Sequence, residues 1–198
     1  NDLYVWGYND TGQLGLGHTN NVNTPIKHEG KYKDFALGQS SIFAISADGE
    51  LFSAGYNNAG SLGLGDTGGV STLTKVNDDT DWESVFAGTS SSIAIKTDKG
   101  IYGAGQRSFI GLGDVDHQKT FINLELNDVK TINTGRSTTH YIKTNGDIYG
   151  TGDNYYGQLG LGHTNEVKVF TKAPHTTRKS FAIIENPYGG ANFILGRP

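Results

Sequence analysis

The stretch 8–20 reads YNDTGQLGLGHTN and the stretch 153–165 reads DNYYGQLGLGHTN, so nine consecutive residues occur twice in a chain of 198. A glycine-rich segment of this kind suits a phosphate cradle, a turn or the punctuation of a repeat. Its recurrence decides among them. LGLG stands at 14–17, 62–65 and 159–162, with IGLG at 110–113, which sets Leu14, Leu62, Ile110 and Leu159 48, 48 and 49 residues apart. A second anchor precedes each: LYVWG (3–7), LFSAG (51–55), IYGAG (101–105) and IYGTG (148–152). A third follows the first three: GQSSIFAI (38–45), GTSSSIAI (88–95) and GRSTTHYI (135–142). The segment 150–162 imitates a dinucleotide fingerprint, but that motif needs a strand-to-helix setting and no helical periodicity follows it. The glycines punctuate a repeat.

Each unit parses into four short strands. SIFAISADGELFSAG (41–55) carries two apolar strands around Asp48-Gly49, a pair that tolerates a tight turn. YKDFALG (32–38), WESVFAG (82–88) and VKTINTG (129–135) supply another. The run after LGLG supplies the fourth, with Pro25, Leu73, Phe121 and Phe170 at matching positions. Four strands in about 45–50 residues is the signature of a propeller blade. The expected fold is all-β, a single domain over 1–198 with repeats at 3–50, 51–100, 101–147 and 148–198, the last atypical after Pro174. In register, ANFILGRP (191–198) followed by NDLYVWG (1–7) matches SIFAISADGELFSAG, so the last strand suits the first as a hairpin partner. Four units then either close a small ring or form an arc of a larger propeller.

The order of these motifs resembles the regulator of chromosome condensation repeat over residues 3 to about 170. The resemblance implies a β-propeller scaffold for binding, seven-bladed in its best-known members. Chromatin-bound members act as exchange factors for a small GTPase through an inserted wedge and a basic tail. The repeat lengths here leave no room for a wedge, and neither terminus is basic. Ultraviolet-sensing members rely on clustered tryptophans, and this chain has two. Other members are secreted inhibitors that grip a partner through loop aromatics.

Composition narrows the function classes. The net charge is −4 with no lysine- or arginine-rich run, which argues against a nucleic-acid partner. No apolar run approaches the roughly 20 residues of a membrane span, and no charged-then-apolar stretch of the secretory-leader type stands within the sequence. Cysteine and methionine are both absent, which excludes disulfides and thiolate metal sites and suits an exposed, oxidising setting. The reading that follows is a non-enzymatic binding or structural module of a viral (phage) or bacterial surface assembly, extracellular or virion-associated. Its expected partner is a protein or a surface glycan, as a homo-oligomer or within a larger assembly. The alternative is a soluble regulator that binds one protein, in the manner of an exchange factor or an enzyme inhibitor. A carbohydrate-active propeller enzyme is a third reading, and it requires an acidic pair in a cleft.

No catalytic residue, cofactor or metal set stands out. His18, Asp66, Asp114 and His163 share the position after the last anchor glycine, where they read as turn caps and not as ligands on one ion. Asp78, Asp79 and Asp81 read as a solvated loop, and His28, His117, His140 and His175 are scattered. The candidate partner-binding residues are aromatics and a cation that vary between otherwise similar turns: Tyr8, Tyr56, Arg107, Phe109, Tyr155 and Tyr156. The competing reading places these rings in the wedges between blades. Trp6 and Trp82 are expected in the core.

Overall fold

Short apolar strands of alternating burial, each stopped by a glycine or a polar turn, build the chain into successive antiparallel sheets. The computed structural model describes residues 1–113 and 116–174, together with the backbone of two later strands. β1 (Tyr4–Gly7) and β2 (Val22–Lys27) form a two-stranded sheet. β3 (Tyr32–Leu37), β4 (Ser41–Ser46), β5 (Leu51–Gly55) and β6 (Val70–Lys75) form the first complete blade. β7 (Trp82–Ala87), β8 (Ser91–Lys96), β9 (Ile101–Gly105) and β10 (Gln118–Asn123) form the second. The third comprises β11 (Val129–Thr134), β12 (Thr138–Lys143), β13 (Ile148–Gly152) and β14 (Val167–Lys172). β15 (Ser180–Ile184) and β16 (Phe193–Arg197) pair as a hairpin in a sheet of their own. Three complete blades are thus flanked by two half-blades, and β16 and β1 lie in separate sheets. Among the described residues the sheets do not close into a ring. Each blade takes its third and fourth strands from one sequence repeat and its first two from the tail of the repeat before.

The core lies between blades. Leu3, Val5 and Leu14 of the first half-blade pack on Ile42, Ala44 and Ala54. Phe43, Ile45, Leu51 and Leu62 pack on Trp82, Val85 and Ala94 of the next blade, and Ile93, Ile101 and Ile110 on Ile132 and Tyr141 of the one after. Trp82 is fully buried, its indole edge-on to Tyr102 at 5.2 Å and tilted against Phe121 at 5.6 Å. The Lys96 ammonium sits 4.9 Å from the Trp82 ring centre, held there by Asp79 and Asp81 at 2.8 and 3.1 Å. Two of the three aspartates expected in a solvated loop therefore clamp a lysine against the core. Trp6 departs from expectation too: it is 58% exposed, on the face of β1 that has no blade beside it.

Two glycine positions explain the repeat motif. The middle glycine of LGLG adopts a left-handed backbone (Gly63 φ 74°) and lies under the large residue of the next blade's fourth strand. A Cβ at Gly15 would stand 2.9 Å from Leu73, one at Gly63 would stand 2.5 Å from the Phe121 ring, and one at Gly111 would enter the Phe170 ring. Next to this contact, each loop hydrogen-bonds across the blade boundary: Gly17 N–H donates to Ser71 C=O (2.7 Å), Gly65 to Lys119 (2.8 Å) and Gly113 to Lys168 (2.8 Å). Isolated bridges Leu16–Thr72, Leu64–Thr120 and Leu112–Val169 accompany them. LGLG is an inter-blade clasp. The glycine that opens the third motif packs just as closely, since a Cβ at Gly38 would lie 2.5 Å from Gly88 C=O.

Candidate functional site

The antiparallel order of four strands sends the turn after each first strand and the long loop after each third strand to the same rim. Hydrogen bonds tie them together: Tyr56, Gln106 and Asp153 N–H donate to Ser40, Ser90 and Ser137 C=O at 2.8 to 2.9 Å. Near the inner strands the turns also touch one another, with Thr89 Oγ1 donating to Gln39 Oε1 (3.1 Å) and Thr89 N–H donating to Arg136 C=O (3.3 Å). Gln39, Thr89 and Arg136 are the variable residues of the third motif, and they stand in a row along this rim. Sequence reasoning missed them because it followed the constant residues.

The long loops are rigid because a buried asparagine organises them. Asn57 Oδ1 accepts from Leu62 N–H (2.8 Å), while its Nδ2 donates to Asp66 C=O (3.2 Å) and Gly68 C=O (3.0 Å). Asn9 does the same with Leu14 (2.9 Å), His18 (2.9 Å) and Asn20 (3.0 Å), and Asn154 with Leu159 (3.0 Å) and His163 (2.8 Å). The signal was present in the sequence as an Asn two places after the second anchor's glycine in three of four units. His18 Nδ1, Asp66 Oδ1 and His163 Nδ1 each accept from the backbone N–H two residues on, at 3.2, 3.0 and 3.2 Å. These are turn caps. Asp114, the fourth of the set, lies outside the described residues. No group of three His, Asp or Glu side chains gathers in metal-binding geometry among the described residues.

On this scaffold the candidate contact residues divide. Tyr8, Tyr56, Tyr155 and Tyr156 project from the long loops into solvent, the last two 75% and 79% exposed. Tyr8 is braced by a hydrogen bond from its hydroxyl to Asp10, which raises the phenol's pKa. The third loop is two residues shorter, lacks the asparagine and folds instead into a single 3-10 turn over Arg107–Ile110, closed by Leu112 N–H donating to Arg107 C=O (2.9 Å). That turn drives Phe109 into the interior beside Ile110. Phe109 is therefore a packing residue and leaves the surface set, and Arg107 is half-buried. Three loops carry the exposed tyrosines and the third interrupts them.

The opposite rim holds a polar cavity of about 540 Å³ between the 98–100 turn and the 123–129 loop. Lys99, Glu125 and Asp128 line it, and all three have positive φ. Asx-type bonds within these turns account for the shape: Gly100 N–H donates to Asp98 Oδ1 (2.8 Å) and Glu125 N–H to Asn123 Oδ1 (2.8 Å).

Two stretches, residues 1–45 and 129–158, match the family described as the regulator of chromosome condensation (RCC1) repeat. Among curated proteins, the ultraviolet-B receptor UVR8 of Arabidopsis thaliana is 30% identical over 174 residues, covering 81% of this chain and 39% of the receptor. Among solved structures, Prp20p of Saccharomyces cerevisiae, studied for its binding to Gsp1p and histones, superposes with a TM-score of 0.77 at 21% identity. That match covers 99% of this chain and 51% of Prp20p. Yeast RCC1 (Prp20) bound to Kap60 gives 0.75 at 22% identity over 91% of this chain and 46% of the other. Human WBSCR16 gives 0.70 at 21% identity over 87% and 53%. The chain spans about two fifths of the curated relative and about half of each of these structures.

Proposed function

Starting from an RCC1-like β-propeller arc, we propose that this chain is a non-enzymatic protein-binding module whose partner docks on the long-loop rim. The observation that carries the reading is the set of exposed tyrosines on three loops locked by a buried asparagine: Tyr8 and Tyr56 at matching places, and Tyr155 and Tyr156 two and three places further along the last loop. A tyrosine offers a large contact area at the entropic cost of two torsions, and a rigid loop removes most of the remaining ordering cost. The similar yeast propellers bind proteins, namely Kap60, Gsp1p and histones. Only the class of partner is carried over here.

At finer grain, an Asn-, Thr- and Gly-rich chain without oxidation-prone sulfur side chains suits a structural or attachment role on a viral or bacterial surface. A soluble regulator of one protein is the alternative, and the yeast likenesses favour it. The test is capture of partners by the immobilised chain, compared with a Tyr155→Ala/Tyr156→Ala double variant and with Lys99→Ala on the opposite rim. If the tyrosines anchor the partner, the double variant weakens capture about 30-fold, as for a loss of roughly 2 kcal/mol at a hot spot, and Lys99→Ala leaves it unchanged. Capture that survives the double variant, or that fails only with Lys99→Ala, refutes the assignment of the rim. A partner held one-to-one supports the regulator, and a multi-copy particle supports the surface assembly.

A further inference from the structure

We propose that the polar cavity on the rim opposite the tyrosines binds an alkylammonium group, the head of a lysine side chain or of a small free amine. The repeat itself points to this ligand. In three of the four pairs of third and fourth strands, the residue two places before the aromatic of the third strand is acidic. It pairs with a lysine that stands across from that aromatic on the fourth strand. Asp2 holds Lys27 at 3.1 Å, Glu50 holds Lys75 at 2.9 Å and Asp147 holds Lys172 at 2.8 Å. The lysines lie opposite Tyr4, Phe52 and Tyr149. In the β9–β10 pair the register is the same, with Asn123 opposite Tyr102, but the two positions are Gly100 and Asn123. This blade supplies neither half of the ion pair from its own strands.

The cavity of about 540 Å³ opens at this place, lined by Gly100 and Asn123 and by the turns on either side. Sites for small ligands span roughly 300–1,000 Å³. Its charge comes from the turns. Asp98, Glu125 and Asp128 line it, all three are exposed, and none takes part in an ion pair among the described residues. Lys99, the one cation of the described lining, is bound by Glu83 at 2.6 Å. Three carboxylates thus stand where the other blades use one, and no lysine stands with them.

The hydrogen-bonding balance selects the same ligand. Two backbone donors of the turns are used inside the walls, Gly100 N–H by Asp98 Oδ1 and Glu125 N–H by Asn123 Oδ1. What the walls still offer is carboxylate oxygen, which accepts and repels anions. An ammonium brings three donors and a positive charge, and its bonds to carboxylate are charge-assisted. A calcium ion needs six or more oxygens at about 2.3–2.6 Å around one point, and no three His, Asp or Glu side chains gather so among the described residues. The proposal concerns a different rim from the tyrosine reading and does not rest on it.

The experiment is an NMR titration of the isotope-labelled full chain at low ionic strength, where exposed charges are least screened. Cadaverine, N-acetyl-lysinamide and calcium chloride are added in separate series. The expected result is saturable movement of the amide signals of residues 98–100 and 123–129 with both amines. Cadaverine as the tighter of the two assigns the site to free amines. N-acetyl-lysinamide binding equally or more tightly assigns it to a lysine side chain. Asp98→Asn/Asp128→Asn removes two charges, while asparagine keeps an acceptor for Gly100 N–H and tolerates the left-handed backbone at 128. Asn123→Lys tethers an ammonium at the position that Lys27, Lys75 and Lys172 hold on their strands. Each variant is expected to weaken amine binding at least tenfold while the thermal transition survives. Movement that stays linear throughout, affinity unchanged in either variant, or calcium moving the same amides at lower concentration than both amines would each overturn the proposal.

Discussion

Replacing His140 by isoleucine should remove about 3 kcal/mol of acid sensitivity from this fold. His140 lies on β12, opposite Gly150, at the register that Ile93 occupies opposite Gly103 in the preceding blade. Its ring is fully buried, and neither nitrogen has a hydrogen-bond partner. Burial of an unpartnered imidazole disfavours its charged form and pushes the pKa from 6.5 down to about 4. The nearby Gln158 main chain favours the protonated ring, but it offsets only part of the desolvation. Between these two values the unfolded chain takes up a proton that the folded chain refuses, so stability falls as pH drops below 6.5 and levels off near 4. A gap of about 2.5 pH units at 1.36 kcal/mol per unit makes this one group responsible for about 3 kcal/mol. Asp147, whose pKa is lowered by Lys172, also loses its contribution in acid, but it does so in both proteins and cancels in the comparison. Isoleucine suits the site because it already fills the equivalent one against a glycine. Urea unfolding from neutral pH to about pH 4 should therefore show a wild-type stability that falls about 3 kcal/mol further than that of His140→Ile. Equal pH dependence in the two proteins, or an NMR titration of His140 in the folded state near 6.5, would refute the reasoning.

Two further predictions test the clasp and its loop. Gly63→Ala and Gly160→Ala impose the same left-handed strain, φ 74° and 66°, but only the first drives a methyl into a ring, that of Phe121. Urea melts at low protein concentration should show Gly63→Ala costing about 1–3 kcal/mol more than Gly160→Ala, and equal costs would mean that the clasp does not bear on the next blade. Asn57→Ala removes four hydrogen bonds from a buried loop and strands the Leu62 N–H, so a loss of about 2–4 kcal/mol is expected. A loss under about 1 kcal/mol by the same melts would show that water replaces the side chain without cost.

The repeat was legible because blade-to-blade packing is periodic in the sequence. A glycine must lie under Leu73, Phe121 and Phe170, so the LGLG glycines recur every 48 or 49 residues, and a glycine must let Gly38 approach Gly88 and Gly88 approach Gly135, so these recur after 50 and 47, whatever the solvent-facing residues do. The turn-capping role of His18, Asp66 and His163 was legible for the same reason, since a cap acts on its own loop two residues away. What failed was anything set by the neighbour of a residue and not by its own strand. Trp6 alternates correctly for burial on β1, yet the blade that would cover it is not beside it. Phe109 sits on a loop that elsewhere presents tyrosine to solvent, but a two-residue deletion replaces the asparagine-locked loop with a 3-10 turn that points the ring inward. The same dependence separates the tyrosines from the core. Tyr8 and Tyr56 ride on loops already closed on the next blade, so their exposure holds with that blade in place, whereas Tyr156 takes the place of Ala59, which is 4% exposed beside the next blade. Phe35 and Leu37 do rely on one, and they stand 57% and 63% exposed on the face of β3 that an adjoining blade covers at Val85 and Ile132.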